Sequence, residues 1–153
     1  MMKLCSDVLA ALKGKTLATA ESCTGGMIGA ALTAVPGASK VYKGGVISYW
    51  SEVKQALLGV DPDDLKNLGP VSAQVAGSMA DGARKALHTD YGISVTGLAG
   101  PDGDEFGKPV GTVFVGLSTR SKTVARQFRF YGDREDVRNQ AARAALEFIL
   151  EEV

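Results

Sequence analysis

The chain has little of what several common chemistries require. It contains one histidine and two cysteines in 153 residues. That is too few for a disulfide framework, and it makes a zinc site an unpromising expectation. The expected compartment is therefore reducing and cytoplasmic, and no metal or organic cofactor is expected. Seventeen basic residues balance seventeen acidic ones, so no global field draws the chain to nucleic acid or to an anionic membrane. No apolar run approaches the ~20 residues that cross a bilayer, and the first residues, Met1 to Asp7, lack the apolar core of a signal peptide. Hydrophobic residues at 45% and charged residues at 22% fit one ordinary globular domain spanning 1–153, long enough to bury a core.

What is present is a strand and helix alternation. Leu4, Val8, Leu9 and Leu12 recur at helical spacing before Gly14. A strand over Thr16–Ala20 leads to a helix over about Thr24–Val35, which Pro36-Gly37 stops. A second strand, about Gly45–Tyr49, precedes a helix over Ser51–Leu58 closed by Gly59. Asp61-Pro62 opens a short helical segment, and Ser72 caps a long helix with Val75, Ala76, Met79, Ala80, Ala83 and Leu87 inward. Ile93–Thr96 forms a strand feeding a glycine-rich loop. Thr112–Leu117 and Thr123–Phe130 form a hairpin in which Arg126 interrupts the apolar face. Asp133 caps a last helix with Val137, Ala141, Ala144, Ala145, Phe148 and Ile149 inward. The pattern predicts a three-layer α/β/α sandwich whose mixed, mostly parallel sheet carries one C-terminal antiparallel hairpin.

The most informative stretch is Glu21-Ser22-Cys23-Thr24-Gly25-Gly26, where the first strand gives way to a helix. Helix N-termini expose free N–H groups and attract negative charge, and glycines let a ligand come close. The stretch suits an anion or an oxyanion. It also suits a simple N-cap at Ser22 or Thr24, which is the commoner use of such residues. Ligands of open α/β sheets bind beyond the carboxyl ends of strands, and the Ser22 turn, the Tyr49–Lys54 segment and the Thr96–Gly103 loop all leave such ends. With histidine nearly absent, lysine is the natural base for a serine nucleophile. Lys54, at a helix start and partly buried, would have a lowered pKa; a solvated surface lysine is the bland alternative. His88 reads as a solvated or helix-terminal residue. Asp102, Asp104 and Glu105 match no metal loop and read as a solvated acidic run. Thr96, Gly97, Ala99 and Gly100 fall in a loop whose backbone N–H groups could hold phosphate, ribose or carboxamide, or could serve only a turn. Arg134 and Arg138 lie one helical turn apart, suited equally to phosphate and to pairing with Asp133 and Glu135. Ser51 and Lys54 form an S-x-x-K string, but its companion motifs are missing. The Tyr49/Lys54 pair has the wrong spacing for a short-chain dehydrogenase.

Together, the Ser22 stretch, Gly44-Gly45-Val46-Ile47-Ser48-Tyr49 with Lys54, Thr96-Gly97-Leu98-Ala99-Gly100-Pro101-Asp102-Gly103, and Lys108-Pro109-Val110-Gly111-Thr112-Val113 resemble the CinA C-terminal-domain family, in its nicotinamide-nucleotide amidase branch. Gly132-Asp133-Arg134 with Arg138 is a weaker echo. The resemblance runs from about Thr16 to Leu150. It implies hydrolysis of the carboxamide of nicotinamide mononucleotide, with Ser22 as nucleophile and Tyr49 and Lys54 as its partners. Substrate contacts are then expected from Thr24, Gly25, Gly26, Gly45, Thr96, Gly97, Ala99, Gly100 and Arg134, with the oxyanion held near Ser22 and Gly25. The expected partners are a small nucleotide substrate and a second copy of the chain. Alternatives are a non-catalytic nucleotide-binding module and an amidase for another small amide. The chain departs from the family pattern at Trp50-Ser51, at Asp104 and at Gly69-Pro70-Val71-Ser72.

Overall fold

The computed structural model describes residues 1–153. Five strands form one sheet: β1 (Leu17–Glu21), β2 (Tyr42–Ile47), β3 (Tyr91–Gly97), β4 (Thr112–Ser118) and β5 (Thr123–Arg129), in the order β2-β1-β3-β4-β5. β1 pairs in parallel with β2 and β3, whereas β3–β4 and β4–β5 are antiparallel. Four strands therefore point one way and β4 alone is reversed. The sheet is mixed and mostly parallel in direction, and the hairpin lies at one edge, as expected.

Six helices cover the two faces. α1 (Met2–Ala11), α2 (Met27–Thr33) and α6 (Arg134–Glu152) pack on one side, and α3 (Ser51–Leu58), α4 (Pro62–Leu68) and α5 (Ala73–Ala86) on the other. The first side holds the larger core, built on Val8, Leu12, Leu17, Ile28, Leu32, Ile93, Leu117, Leu146 and Ile149. The second is built of small residues. Ala18, Ala20, Val75, Met79 and Ala83 meet there, and Cβ atoms at Gly92 and Gly116 would collide with the Ala80 and Ala76 carbonyl oxygens of α5. α5 thus lies close enough to the sheet for its backbone to touch the strands.

The caps explain most helix ends. Ser72 Oγ accepts from Val75 N–H, Asp61 accepts from Asp63 N–H, and Asp133 and Asp136 form a reciprocal capping box. Arg126, which broke the hairpin pattern, lies on the inward face with its guanidinium 4.4 Å from the Phe148 ring centre and bonded to Glu151. Its stem packs as an apolar residue would. The expected second helix begins three residues late, at Met27, because its N-cap is Gly26 and its capping group comes from Glu21 on the strand.

Candidate active site

Side chains alternate across a strand, so the end of β1 sends Glu21 and Ser22 to opposite faces. Glu21, 2% exposed, turns to the N-terminus of α2. Its carboxylate accepts from Ile28 N–H at 2.9 Å, Gly29 N–H at 3.0 Å and the Thr24 hydroxyl at 2.8 Å. Ser22, 7% exposed, turns to α3. The main chain continues the parallel pairing one step past the strand, with Ser22 N–H donating to Val95 O.

Lys54 lies in the first turn of α3 and is 1% exposed. Its Nζ donates to Ser22 Oγ at 2.8 Å, to Ser48 O at 2.6 Å and to Tyr49 O at 3.1 Å. Those carbonyls are available because β2 ends at Ile47: Ser48 N–H still donates to Glu21 O, but the Ser48 and Tyr49 carbonyls take no strand partner before the helix begins. All three acceptors are neutral. Burial lowers the Lys54 pKa from 10.5 to about 8, with neighbouring Cys23 acting in the opposite direction. The arrangement serves both protonation states. The ammonium form has three donors for three acceptors. The neutral amine keeps two donors for the carbonyls and turns its lone pair to the Ser22 hydroxyl.

A cavity of about 230 Å³ opens over the pair. Of the residues expected at the site, Ser22, Tyr49, Lys54, Thr96, Gly97, Ala99, Gly100 and Arg134 line it. Thr24, Gly25, Gly26 and Gly45 do not. Thr24 is fully buried against Glu21, and Gly25 faces Arg138. Gly26 and Gly45 border a separate hollow between α2 and β2. These four residues shape the turn and the packing around Ser22 rather than the cavity. The α2 N-terminus cannot hold an oxyanion either, since Glu21 occupies it and Gly25 N–H donates to Ser22 O. Cys23, Ala99 and Gly100 line the cavity, and their N–H groups have no main-chain acceptor.

The Tyr49 hydroxyl meets neither Ser22 nor Lys54; it accepts from Arg134 at 3.0 Å, and Arg134 also donates to Gly100 O. Arg134 and Arg138 therefore part company. Arg134 is exposed at the cavity rim. Arg138 is half-buried and donates from Nε to Cys23 O at 2.9 Å and from a terminal nitrogen to Thr24 O at 3.4 Å. Ser51 makes no contact with Lys54 Nζ, which removes the S-x-x-K reading. His88 is exposed beyond α5. Cys23 lines the cavity, but burial pushes its thiol up to about 11, leaving it protonated and unreactive at neutral pH.

Sequence reasoning expects Glu21, the acid nearest Ser22, to point toward backbone N–H groups or another cation rather than toward Lys54, and it turns to the Ile28 and Gly29 N–H groups. Sequence reasoning missed the Arg138 contact, for which there was no local signal, because Arg138 and Cys23 lie 115 residues apart. No group of three or more histidine, cysteine, aspartate or glutamate side chains is placed to hold a metal ion, and no helix is long and apolar enough to cross a membrane.

Known proteins share this arrangement of elements. A solved structure of a competence-damaged protein (CinA) superfamily protein from Escherichia coli superposes with a TM-score of 0.97 at 34% identity, covering 99% of this chain and 90% of that one. The competence damage-inducible protein A from Klebsiella pneumoniae superposes at 0.96 with 37% identity, covering 99% and 95%. A CinA-like protein from Acidobacterium capsulatum is 44% identical over 138 residues, and one from Thermosynechococcus vestitus is 50% identical over 121. Those alignments take in 90% and 78% of this chain but 33% and 29% of the relatives, so the chain spans about a third of the curated proteins it matches. Residues 1–153 match the CinA C-terminal domain throughout, and the chain belongs to that family.

Proposed function

We propose that the protein is an amidohydrolase that releases ammonia from the carboxamide of nicotinamide mononucleotide, leaving nicotinic acid mononucleotide. The observation that carries this reading is the 2.8 Å contact between Ser22 Oγ and a fully buried lysine with no carboxylate on it. With a pKa of about 8, roughly a tenth of the Lys54 side chains are neutral at pH 7. In that form the amine takes the Ser22 proton as Oγ attacks the carboxamide carbon, which the pyridinium ring has made electron-poor. The developing oxyanion is held by free N–H groups, with Cys23 N–H, next to the nucleophile, the first candidate. The Lys54 ammonium then gives its proton to the departing nitrogen, and ammonia leaves an acyl-serine. Water, deprotonated by Lys54, attacks that ester and restores Ser22.

The cavity is smaller than the ~300 Å³ at the low end of small-molecule sites, so it encloses one end of the nucleotide. The carboxamide end belongs inside, over Ser22. The phosphate belongs at the rim, where the exposed Arg134 guanidinium is suited to it.

Ammonia release with nicotinamide mononucleotide tests the proposal, with free nicotinamide and nicotinamide riboside as comparators. Ser22→Ala should abolish release while leaving the fold and ligand binding nearly intact. Binding without release by the wild-type protein would make it a nucleotide-binding module. Release from the comparators but not the nucleotide would make it an amidase of another small amide.

A further inference from the structure

We infer that Arg138 is a positioning residue that holds the nucleophile turn in its reactive shape; this rests on Ser22 being the nucleophile. The turn from Ser22 to Gly26 has few restraints of its own. Its main chain is tied by Ser22 N–H to Val95 O, by Gly25 N–H to Ser22 O and by Met27 N–H to Thr24 O, which leaves the Cys23 carbonyl without a main-chain donor. It precedes α2 with no side-chain cap from Gly26. Gly25 and Gly26 both have positive φ, 58° and 106°, a backbone that without other constraint has many alternatives.

Arg138 supplies the missing constraint from α6. Its guanidinium spans the carbonyls of Cys23 and Thr24, two consecutive peptide groups. A planar fork with fixed donor directions sets the tilt of both peptides, which a lysine ammonium cannot do. The two carbonyls belong to the peptides that carry the Thr24 and Gly25 N–H groups. The Gly25 N–H closes on Ser22 O, the carbonyl of the peptide that carries the Cys23 N–H, while the Cys23 and Thr24 N–H groups have no main-chain acceptor. Fixing these carbonyls from the α6 side therefore holds the Thr24 and Gly25 peptides directly and, through the Gly25–Ser22 bond, the peptide that follows Ser22. Gly25 faces the guanidinium, and a Cβ there would lie at ordinary contact distance, 3.6 Å, from an Arg138 terminal nitrogen, so glycine serves the positive φ rather than the space.

Arg138 forms no ion pair. Its charge thus remains uncompensated, directed at carbonyl oxygens beside the nucleophile. Arg134, one turn away, faces the cavity rim instead, so the two arginines divide the labour of grip and alignment.

The test compares Arg138→Ala, Arg138→Lys and Arg134→Ala. Loss of alignment on this scale costs about 10²-fold in rate. Arg138→Ala should lose that in kcat with KM within a few-fold, keep the pH midpoint of the wild type, and regain activity when millimolar guanidinium or methylguanidinium is added. Arg138→Lys should recover little. Arg134→Ala should instead raise KM. A rise in KM alone for Arg138→Ala would overturn the inference, as would full activity of Arg138→Lys. Should the wild type release no ammonia from the nucleotide, acylation of Ser22 by a fluorophosphonate probe supplies a separate readout. Slower labelling of Arg138→Ala, restored by guanidinium, upholds the inference; equal labelling of the two proteins overturns it.

Discussion

Two helices begin beside Ser22, and a buried charge lies against each. At α2 the charge is negative, and the helix end meets it with two N–H groups and a hydroxyl. At α3 the charge is positive, and the Lys54 ammonium sits in the first helical turn among neutral oxygens only. Glu21 complements the helix dipole; Lys54 opposes it. The first arrangement stabilises the fold. The second costs free energy, and the cost appears as a lysine pKa near 8. A pair of adjacent residues, Glu21 and Ser22, thus separates a structural charge site from the proposed catalytic one across the thickness of a single strand. Electrostatic mismatch, held in place by burial, is what distinguishes the second.

Replacing Lys54 should break this comparison most severely. General-base catalysis is worth about 10²- to 10⁴-fold, and both Lys54→Met and Lys54→Arg should lose that in kcat. Arginine keeps the charge but cannot accept a proton near neutral pH. An active Lys54→Arg enzyme would show that only positive charge is needed. Lys54→Met should nevertheless melt no lower than the wild type, because it removes a buried cation that nothing neutralises. A marked fall in Tm would mean that the lysine holds the fold as an ion.

The pH dependence sharpens the same point. The kcat/KM of the wild type should rise with pH and level off above a midpoint near 8, the value for the free enzyme. For stability the sign follows from proton binding. Between pH 8 and about 10.4 the unfolded chain keeps the Lys54 proton that the folded chain has lost, so this group adds stability as pH rises. The whole span is worth about 3 kcal/mol. Cys23, with its raised thiol pKa, pulls the other way once unfolded thiols ionise. The contribution of Lys54 is therefore read as the difference between wild type and Lys54→Met in denaturant titrations at pH 7.5 and 10. A pH-independent difference would remove the buried, depressed lysine from the account.

Glu21→Gln attacks the other helix. The amide retains one acceptor oxygen where the carboxylate had two, and it turns a donor toward helix N–H groups. Leaving such groups unmatched costs about 1–3 kcal/mol, or a fall of roughly 2–10 °C in Tm for a chain of this size. Loss of activity with unchanged Tm would mean that Glu21 takes part in the chemistry. The smallest effect belongs to Tyr49→Phe. Its hydroxyl meets Arg134 and not the serine–lysine pair, so KM should rise a few-fold with kcat nearly unchanged. A kcat loss comparable with that of Lys54→Arg would restore Tyr49 as a proton carrier.

Much of the architecture was legible because its signals are local. Ser72, Asp61 and Asp133 cap the helices they precede, Gly59 ends α3 in a left-handed conformation, and the inward residues of α6 follow helical spacing. The second strand was placed late, over Gly45–Tyr49 instead of Tyr42–Ile47. Its alternating half-buried residues carry little apolar signal at an edge, and the ladder stops early, where Ser48 and Tyr49 face Lys54. At the site, Ser22 and Lys54 were recognisable by motif. Whether the glycines beside Ser22 face a ligand or, as Gly25 does, Arg138 was not legible. That distinction depends on a helix more than a hundred residues away, and no local pattern encodes it.

The reversal of β4 has a consequence for how such a protein can change. Because β3 leaves the sheet and its antiparallel neighbour β4 re-enters it at the same end, residues 98–111 form an excursion with a closed neck. Leu98 N–H donates to Thr112 O and Gly111 N–H to Leu98 O. The excursion supplies Leu98, Ala99, Gly100 and Asp102 to the cavity wall, while the serine, the lysine and their supports come from elsewhere in the chain. Lengthening or replacing a segment whose ends already meet adds little closure entropy. The wall is therefore an interchangeable part, and grafting this segment between relatives would exchange substrate preference while the reacting pair stays as it is.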